Sequence, residues 1–174
     1  MKWEFNKYLK SLSEKELIKE LQKLYTKFEP VRKYYQLELS GDTEAIVKEF
    51  KDRIKKEYFP ARGYGQARSS VSRKVITEFK KISIHPKDVV ELLLYRTEMM
   101  LEFSLAYGDM DEGYYNSIYS SFNEACKLIA KEKLQKYYIQ YCRKFIVYSD
   151  QVGWCVSFDL DYSFREHFGE SAFG

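Results

Sequence analysis

The feature that most constrains the fold of this chain is the scarcity of residues that interrupt regular backbone structure. The 174 residues include only three prolines and eight glycines. A β-rich fold of this length needs many tight turns, and proline and glycine form a large share of such turns. Few interruptions favour long helices instead, and we therefore predict an all-α protein.

Apolar residues also recur at the spacing of a helix. A first stripe lies in the helix predicted over residues 13–28 and consists of Leu17, Leu21, Leu24 and Phe28. A second stripe lies in the helix predicted over residues 110–131 and consists of Tyr115, Ile118, Phe122, Cys126 and Ile129. The whole pattern predicts a single compact domain over residues 1–174, with about seven to eight helices packed as antiparallel hairpins and roughly ten frayed residues at the C-terminus.

The composition excludes several classes of protein. No run of about 18 apolar residues is present, so we predict no transmembrane helix and no membrane partner. The N-terminal MKWEFNKYLK carries scattered charges and no apolar core, which does not fit a secretion signal. Cys126, Cys142 and Cys155 are odd in number and lack CxxC spacing, which argues against a disulfide framework or a zinc site. These features predict a cytoplasmic location.

Catalytic motifs are scarce. The only histidines are His85 and His167, and neither lies within a helical turn of a cysteine. The chain has no GxSxG, P-loop, HExxH or GxGxxG motif. We predict no catalytic residues, no metal ligands and no cofactor. The interpretation is a non-enzymatic protein, with a scattered catalytic constellation as the weaker alternative.

Charge is divided unevenly along the chain. Residues 1–87 contain 21 Lys and Arg against 12 Asp and Glu, whereas residues 88–174 contain 8 against 14. The two halves therefore carry charges of +9 and −6, which sum to the net charge of +3. Two explanations are open: the halves dock on each other, or the basic half faces an anionic partner.

The segment FPARGYGQARSSVSRK, residues 59–74, concentrates cations without an intervening acid. Arg62 and Arg68 flank a glycine-containing loop at the predicted N-terminus of a helix over residues 66–82. Free backbone N–H groups and guanidinium groups at such a place bind anions. We predict four candidate contacts for an anion or a nucleic acid: Arg62, Arg68, Arg73 and Lys74.

A structural ion pair is the alternative for Arg68, and the one that we favour. On a helical wheel, Arg68 is the one cation of its predicted helix on the apolar side. If that helix and the next, predicted over residues 86–107, form an antiparallel hairpin, Arg68 lies opposite Leu101. The predicted partners of its guanidinium are then Glu98 and Glu102.

Several segments together resemble a known family. They are YLKSLSEKELIKELQKLYTKFEPVRKYY, ARSSVSRKVITEFKKIS, ELLLYRTEMMLEFSLAYGDMDEGYYNSI and VGW. They resemble an uncharacterised family of small, all-helical bacterial proteins, known as a domain of unknown function. The most specific parts are the EF…YGD…YN run and the late Gly-Trp pair. The resemblance implies a helical domain from a bacterium, and it implies no activity, cofactor or partner.

These observations lead to two functional hypotheses. The leading one is a cytoplasmic protein-interaction or scaffold domain that binds other proteins. The alternative is a nucleic-acid-associated protein that uses residues 48–81, which hold 11 cations and 4 acids. A scaffold predicts an exposed apolar or tyrosine-rich patch, whereas nucleic-acid binding predicts a continuous cationic surface.

Overall fold

A computed structural model describes residues 1–40 and 43–169 of the chain. All regular structure within these residues is helical, so the predicted all-α class is confirmed. The described residues form nine helices, where about seven to eight were predicted. The helices are α1 Lys2–Ser11, α2 Glu14–Lys27, α3 Glu29–Ser40, α4 Glu44–Tyr58, α5 Ser69–Lys80, α6 Pro86–Tyr107, α7 Glu112–Lys131, α8 Gln135–Ser149 and α9 Val156–Phe168.

The chain divides into two compact units, Met1–Gly41 and Asp42–Gly174. The smaller unit contains α1 to α3 and the larger unit contains α4 to α9. A single domain over residues 1–174 stays a prediction. Of the C-terminal residues predicted to fray, those up to Phe168 are helical, and residues 170–174 lie outside the described part of the chain.

Helix α6 is the centre of the larger unit. It packs against α4, α5, α7 and α8. Leu92, Leu93 and Leu94 are consecutive and almost completely buried. Consecutive helical side chains point about 100° apart, so these three residues show that neighbours surround the helix. Pro86 occupies the first turn, and Gly108 ends the helix with a positive φ of 92°.

Helix α7 packs on α6 with one face and on α9 with another. Its predicted inner stripe is confirmed, because all five of those residues are buried. A polar contact joins α7 to α9: the Asn123 amide oxygen accepts a hydrogen bond from Ser163 Oγ at 2.9 Å and lies 2.8 Å from His167 Nε2. His167 therefore has a structural role in the packing of the last helix.

None of the helices within residues 1–40 and 43–169 has the length and apolarity needed to cross a bilayer. This finding agrees with the absence of a long apolar run in the sequence.

The glycine-containing loop between α4 and α5 folds closely against the end of α4. A Cβ atom added at Gly65 would clash with the backbone carbonyl of Tyr58. Ala67 donates its backbone N–H to the carbonyl oxygen of Glu57 at 3.1 Å. The two glycines of this segment therefore have different structural roles. Gly63 adopts a positive φ of 76°, and Gly65 permits a close approach of two backbone segments.

We expect Gly65→Ala to lower the free energy of unfolding by about 1–3 kcal/mol, because the loop must move away from Tyr58 to admit the methyl group. Urea denaturation would measure the change. The control is Gln66→Ala, since Gln66 is exposed and is the next residue in the same loop. Equal stabilities of the two variants would contradict the proposed close approach.

Candidate functional site

Arg68, one of the predicted anion contacts, is held by a carboxylate in the structure. Its Nε and backbone N–H donate to Glu57 Oε1 at 2.8 and 3.0 Å, and its Nη2 donates to Oε2 at 3.2 Å. Glu57 is buried, whereas the Arg68 side chain is largely exposed. The hydrogen bonds from Arg68 hold the pKa of Glu57 below its ordinary value, against the opposing effect of burial.

This pairing corrects the predicted partners of Arg68, which were Glu98 and Glu102. The prediction placed Arg68 on a helix that begins at residue 66, but α5 begins at Ser69 and Arg68 is extended, with φ −71° and ψ 97°. The geometry of a helical hairpin therefore does not apply to its side chain. The loop instead turns Arg68 back to the last turn of α4.

Glu98 and Glu102 lie on the side of α6 that α8 approaches. Glu98 accepts a hydrogen bond of 3.4 Å from the Tyr141 hydroxyl. Burial, and then the charge of Glu98, raise the pKa of Glu102. The two glutamates thus form a partly buried pair of like charges, and Arg68 does not neutralise them.

The inward-facing arginine of this region is Arg96, which the sequence analysis did not single out. Its side chain is 3% exposed in the middle of α6. A sequence signal existed: Arg96 is the only Lys or Arg between Lys87 and Lys127, and it interrupts the most apolar helix of the chain. A cation in such a place has to find internal hydrogen-bond acceptors.

Arg96 finds three acceptors, and each of them lies on a neighbouring helix. Nε donates to Ser72 Oγ at 2.9 Å, Nη1 to the Ser117 carbonyl at 3.1 Å, and Nη2 to the Ser69 carbonyl at 3.1 Å. Ser72 Oγ donates its single hydrogen to the Ser69 carbonyl at 3.0 Å. The Tyr58 hydroxyl, 2.6 Å from Ser72 Oγ, must therefore donate to it. The network joins the end of α4 to α5, α6 and α7.

All three acceptors of Arg96 are neutral. Among the described residues, no carboxylate lies within ion-pairing distance of its guanidinium. Burial is the main cause of the lowered pKa of Arg96, and the charge of Arg73 lowers this pKa further. The interior of the larger unit thus contains a positive charge that no buried acid balances.

A groove lies beside Arg96, between α5 and α7. Both helices pack on α6, and the space between them opens to solvent with a volume of about 670 Å³ in its larger part. A smaller recess continues from it to Arg96, and the groove and recess share Arg73, Lys80, Ser120 and Glu124. We call this space, with its recess, the α5–α7 groove. Of the four predicted anion contacts, it contains Arg73.

Lys74 and Arg62 are exposed and do not line the α5–α7 groove. The structure therefore does not unite the four predicted contacts in one place, and their role stays a prediction. Ion pairs also occupy several cations of the basic segment 48–81: Lys51 with Glu91, Arg53 with Glu78, Arg68 with Glu57 and Lys80 with Glu124.

A second candidate surface lies in the smaller unit. Helix α2 has a capping box formed by Ser13 and Glu16 and a strongly one-sided distribution of apolar residues. Nevertheless, neither α1 nor α2 contains a single buried residue. Seven large apolar side chains of α1, α2 and the residue after α2 are between 40% and 72% exposed: Trp3, Phe5, Tyr8, Ile18, Leu21, Tyr25 and Phe28. We call these seven residues the α1–α2 face.

The sequence matches a protein family over most of its length. The model of a family of unknown function, DUF6155, matches residues 1–157. The chain belongs to this family. The match of the DUF6155 model includes the α1–α2 face and the α5–α7 groove, and it ends in the first turn of α9. No curated protein and no solved structure matches the chain.

The described residues of this DUF6155 protein contain no cluster of three His, Cys, Asp or Glu side chains that could hold a metal ion. Burial raises the pKa of the Cys126 thiol, which disfavours the reactive thiolate. His85 lines the α5–α7 groove. The strongest features of the two surfaces are therefore cations in the groove and apolar side chains on the α1–α2 face.

We expect acid to weaken the Glu57–Arg68 pair. Because the folded pKa of Glu57 is lower than its ordinary value of 4.5, its ionisation stabilises the fold above that value. This contribution is lost as pH falls through the folded pKa. Wild-type protein should therefore lose more stability than Glu57→Gln between about pH 5 and pH 3, measured by urea denaturation at each pH. Parallel pH profiles of the two proteins would contradict the assignment, and Glu38→Gln, at an exposed site, serves as the control.

We expect Arg96→Ala to lower the free energy of unfolding by about 2–4 kcal/mol, because it creates a cavity and removes the three hydrogen bonds that join α6 to α5 and α7. Arg96→Lys should recover only part of the loss, since one ammonium group cannot reproduce the guanidinium fork. Lys74→Ala, at an exposed position on α5, is the control. If Arg96→Ala were as stable as Lys74→Ala, the network would not support the fold.

Proposed function

We propose that this DUF6155 protein is a protein-interaction domain that binds through the α1–α2 face. The observation that supports the proposal is the complete lack of buried residues in two amphipathic helices. Amphipathic helices in globular proteins gain most of their stability from the burial of their apolar face. An apolar face this large and this exposed is typical of a surface that another molecule covers.

The charges that flank the apolar side of α2 favour another α2 helix as the partner. On a helical wheel, Glu16, Glu20 and Lys27 share one flank, roughly 100–140° from Leu21. In an antiparallel helix pair, matching flanks lie against each other. Glu16 and Glu20 near the start of one helix would therefore face Lys27 near the end of the other, which is a favourable arrangement of charges. We infer that a second copy of this chain covers the α1–α2 face.

Nucleic-acid binding by residues 48–81 has less support. This reading requires a continuous surface of available cations. Lys51, Arg53, Arg68 and Lys80 instead pair with carboxylates. The nucleic-acid hypothesis also gives no role to the α1–α2 face.

We also propose a cytoplasmic location and a bacterial origin. Cys126 and Cys142 are buried thiols, and Cys155 is an exposed thiol; none of the three forms a disulfide. Free thiols of this kind fit a reducing compartment, which supports the location. The bacterial origin is supported by the resemblance of the sequence motifs described above.

We expect the purified protein to be a dimer at micromolar concentration. Leu21→Lys should raise its dissociation constant by roughly tenfold or more, because the change places a charge in the apolar seam. The matched control is Thr26→Lys, which places the same side chain on the same helix roughly 140° away. Size-exclusion chromatography with light scattering over a range of concentrations measures both effects.

A monomeric wild-type protein over the whole concentration range would contradict the proposal, as would equal dissociation constants for Leu21→Lys and Thr26→Lys. Co-sedimentation with phosphatidylserine vesicles tests whether the α1–α2 face binds a lipid surface. Binding of wild-type monomers to vesicles, lost in Leu21→Lys, would mean that a lipid surface covers the face instead.

A further inference from the structure

The α5–α7 groove supports an inference that is independent of the proposed interaction surface. Its recess ends at Arg96, a buried guanidinium with five N–H donors. Three hydrogen bonds of Arg96 go to neutral acceptors within the protein. The carboxylate of Glu124 lines the same recess, but it forms no direct ion pair with Arg96. An anion that approaches the guanidinium gains a strong Coulomb attraction, because water is largely excluded from the recess.

Two further cations of the groove lack an acidic partner. Arg73 and Lys127 line the groove, and neither forms an ion pair with another described residue. The other two groove cations are already paired, Lys80 with Glu124 and Lys131 with Glu132. The excess positive charge therefore belongs to Arg73, Arg96 and Lys127.

Arg73 connects the two parts of the groove, because it lines both the recess that contains Arg96 and the larger space that contains Lys127. Arg73 belongs to the recess that reaches Arg96, and its charge lowers the pKa of that guanidinium, so the two groups are near each other. Ser120, which also lines the recess, adds a hydroxyl donor from α7. Two guanidinium groups, an ammonium group and a hydroxyl are the donors that proteins use to hold phosphate oxygens.

We propose that the α5–α7 groove binds a small phosphate-bearing anion, with the phosphate between Arg73, Arg96 and Lys127. A volume of about 670 Å³ lies within the range of small-molecule sites. Glu124 and Glu132 pair with the other two groove cations, so the unpaired positive charge is limited to three groups, which suits one small anion better than the backbone of a long polyanion. The ligand class is therefore a small phosphate compound rather than a nucleic acid.

Inorganic phosphate is the probe for the test. Full-length protein is titrated with phosphate by isothermal titration calorimetry, with ionic strength held constant by sodium chloride. We expect saturable binding by wild-type protein and a roughly tenfold weaker affinity in both Arg73→Ala and Lys127→Ala. Both residues are exposed, so these variants should keep the helical circular dichroism and melting temperature of the wild type.

The matched control is Lys74→Ala, which removes a cation next to Arg73 that does not line the groove. Wild-type affinity in Lys74→Ala supports the site. Equal weakening in Lys74→Ala and Arg73→Ala would show unspecific attraction to the basic helix and would overturn the proposal. Absence of saturable phosphate binding by the wild type would also overturn it.

A single-stranded oligonucleotide at the same ionic strength separates the small-anion site from a nucleic-acid surface. Weaker binding of the oligonucleotide than of phosphate, per phosphate group, supports the small ligand. Tight oligonucleotide binding that depends equally on Arg73, Lys74 and Arg62 would overturn it. These substitutions leave the seven residues of the α1–α2 face unchanged, so the dimer proposal and the phosphate proposal are tested independently.

Discussion

The larger helical unit depends on the burial of one guanidinium group among neutral acceptors. Removing Arg96 from water is costly, and only well-placed hydrogen bonds offset that cost. Its acceptors are the first residue of α5, a serine one turn later, and a carbonyl of α7. Each bond requires its helix to lie at a definite position along α6. The side chain therefore sets the register of three helices, and Tyr58 extends that constraint to the end of α4.

The same arrangement creates a concave surface with cations beside Arg96. Because α5 and α7 both rest on α6 and are joined to each other through Arg96, the space between them remains a groove. The smaller unit presents the opposite chemistry, an exposed apolar face on two helices that contain no buried residue. The groove carries unpaired cations, and the α1–α2 face exposes apolar side chains. The two proposed binding functions therefore rest on different physical properties of the chain.

Particular residues show how far the sequence predicted the candidate sites. Arg73 was recognised as a potential anion contact, and it lines the groove. The partner of Arg68 was predicted from a helical hairpin, but the real partner, Glu57, lies across a loop whose path helical geometry does not describe. Arg96 was missed because helical periodicity identifies apolar stripes and gives no position to a single cation within an apolar helix. The sequence signal for its burial was that no other Lys or Arg lies between Lys87 and Lys127.

The sequence by itself determined that the protein is all-helical and where most helices begin and end. These properties are local, because they follow from apolar spacing, capping residues and the few prolines and glycines. Only the tertiary structure decided which cation is buried, which carboxylate holds Arg68, and that the apolar side chains of the α1–α2 face are exposed. Each of these properties depends on contacts between residues that are distant in sequence. The apolar pattern along one helix does not show which other helices pack against it.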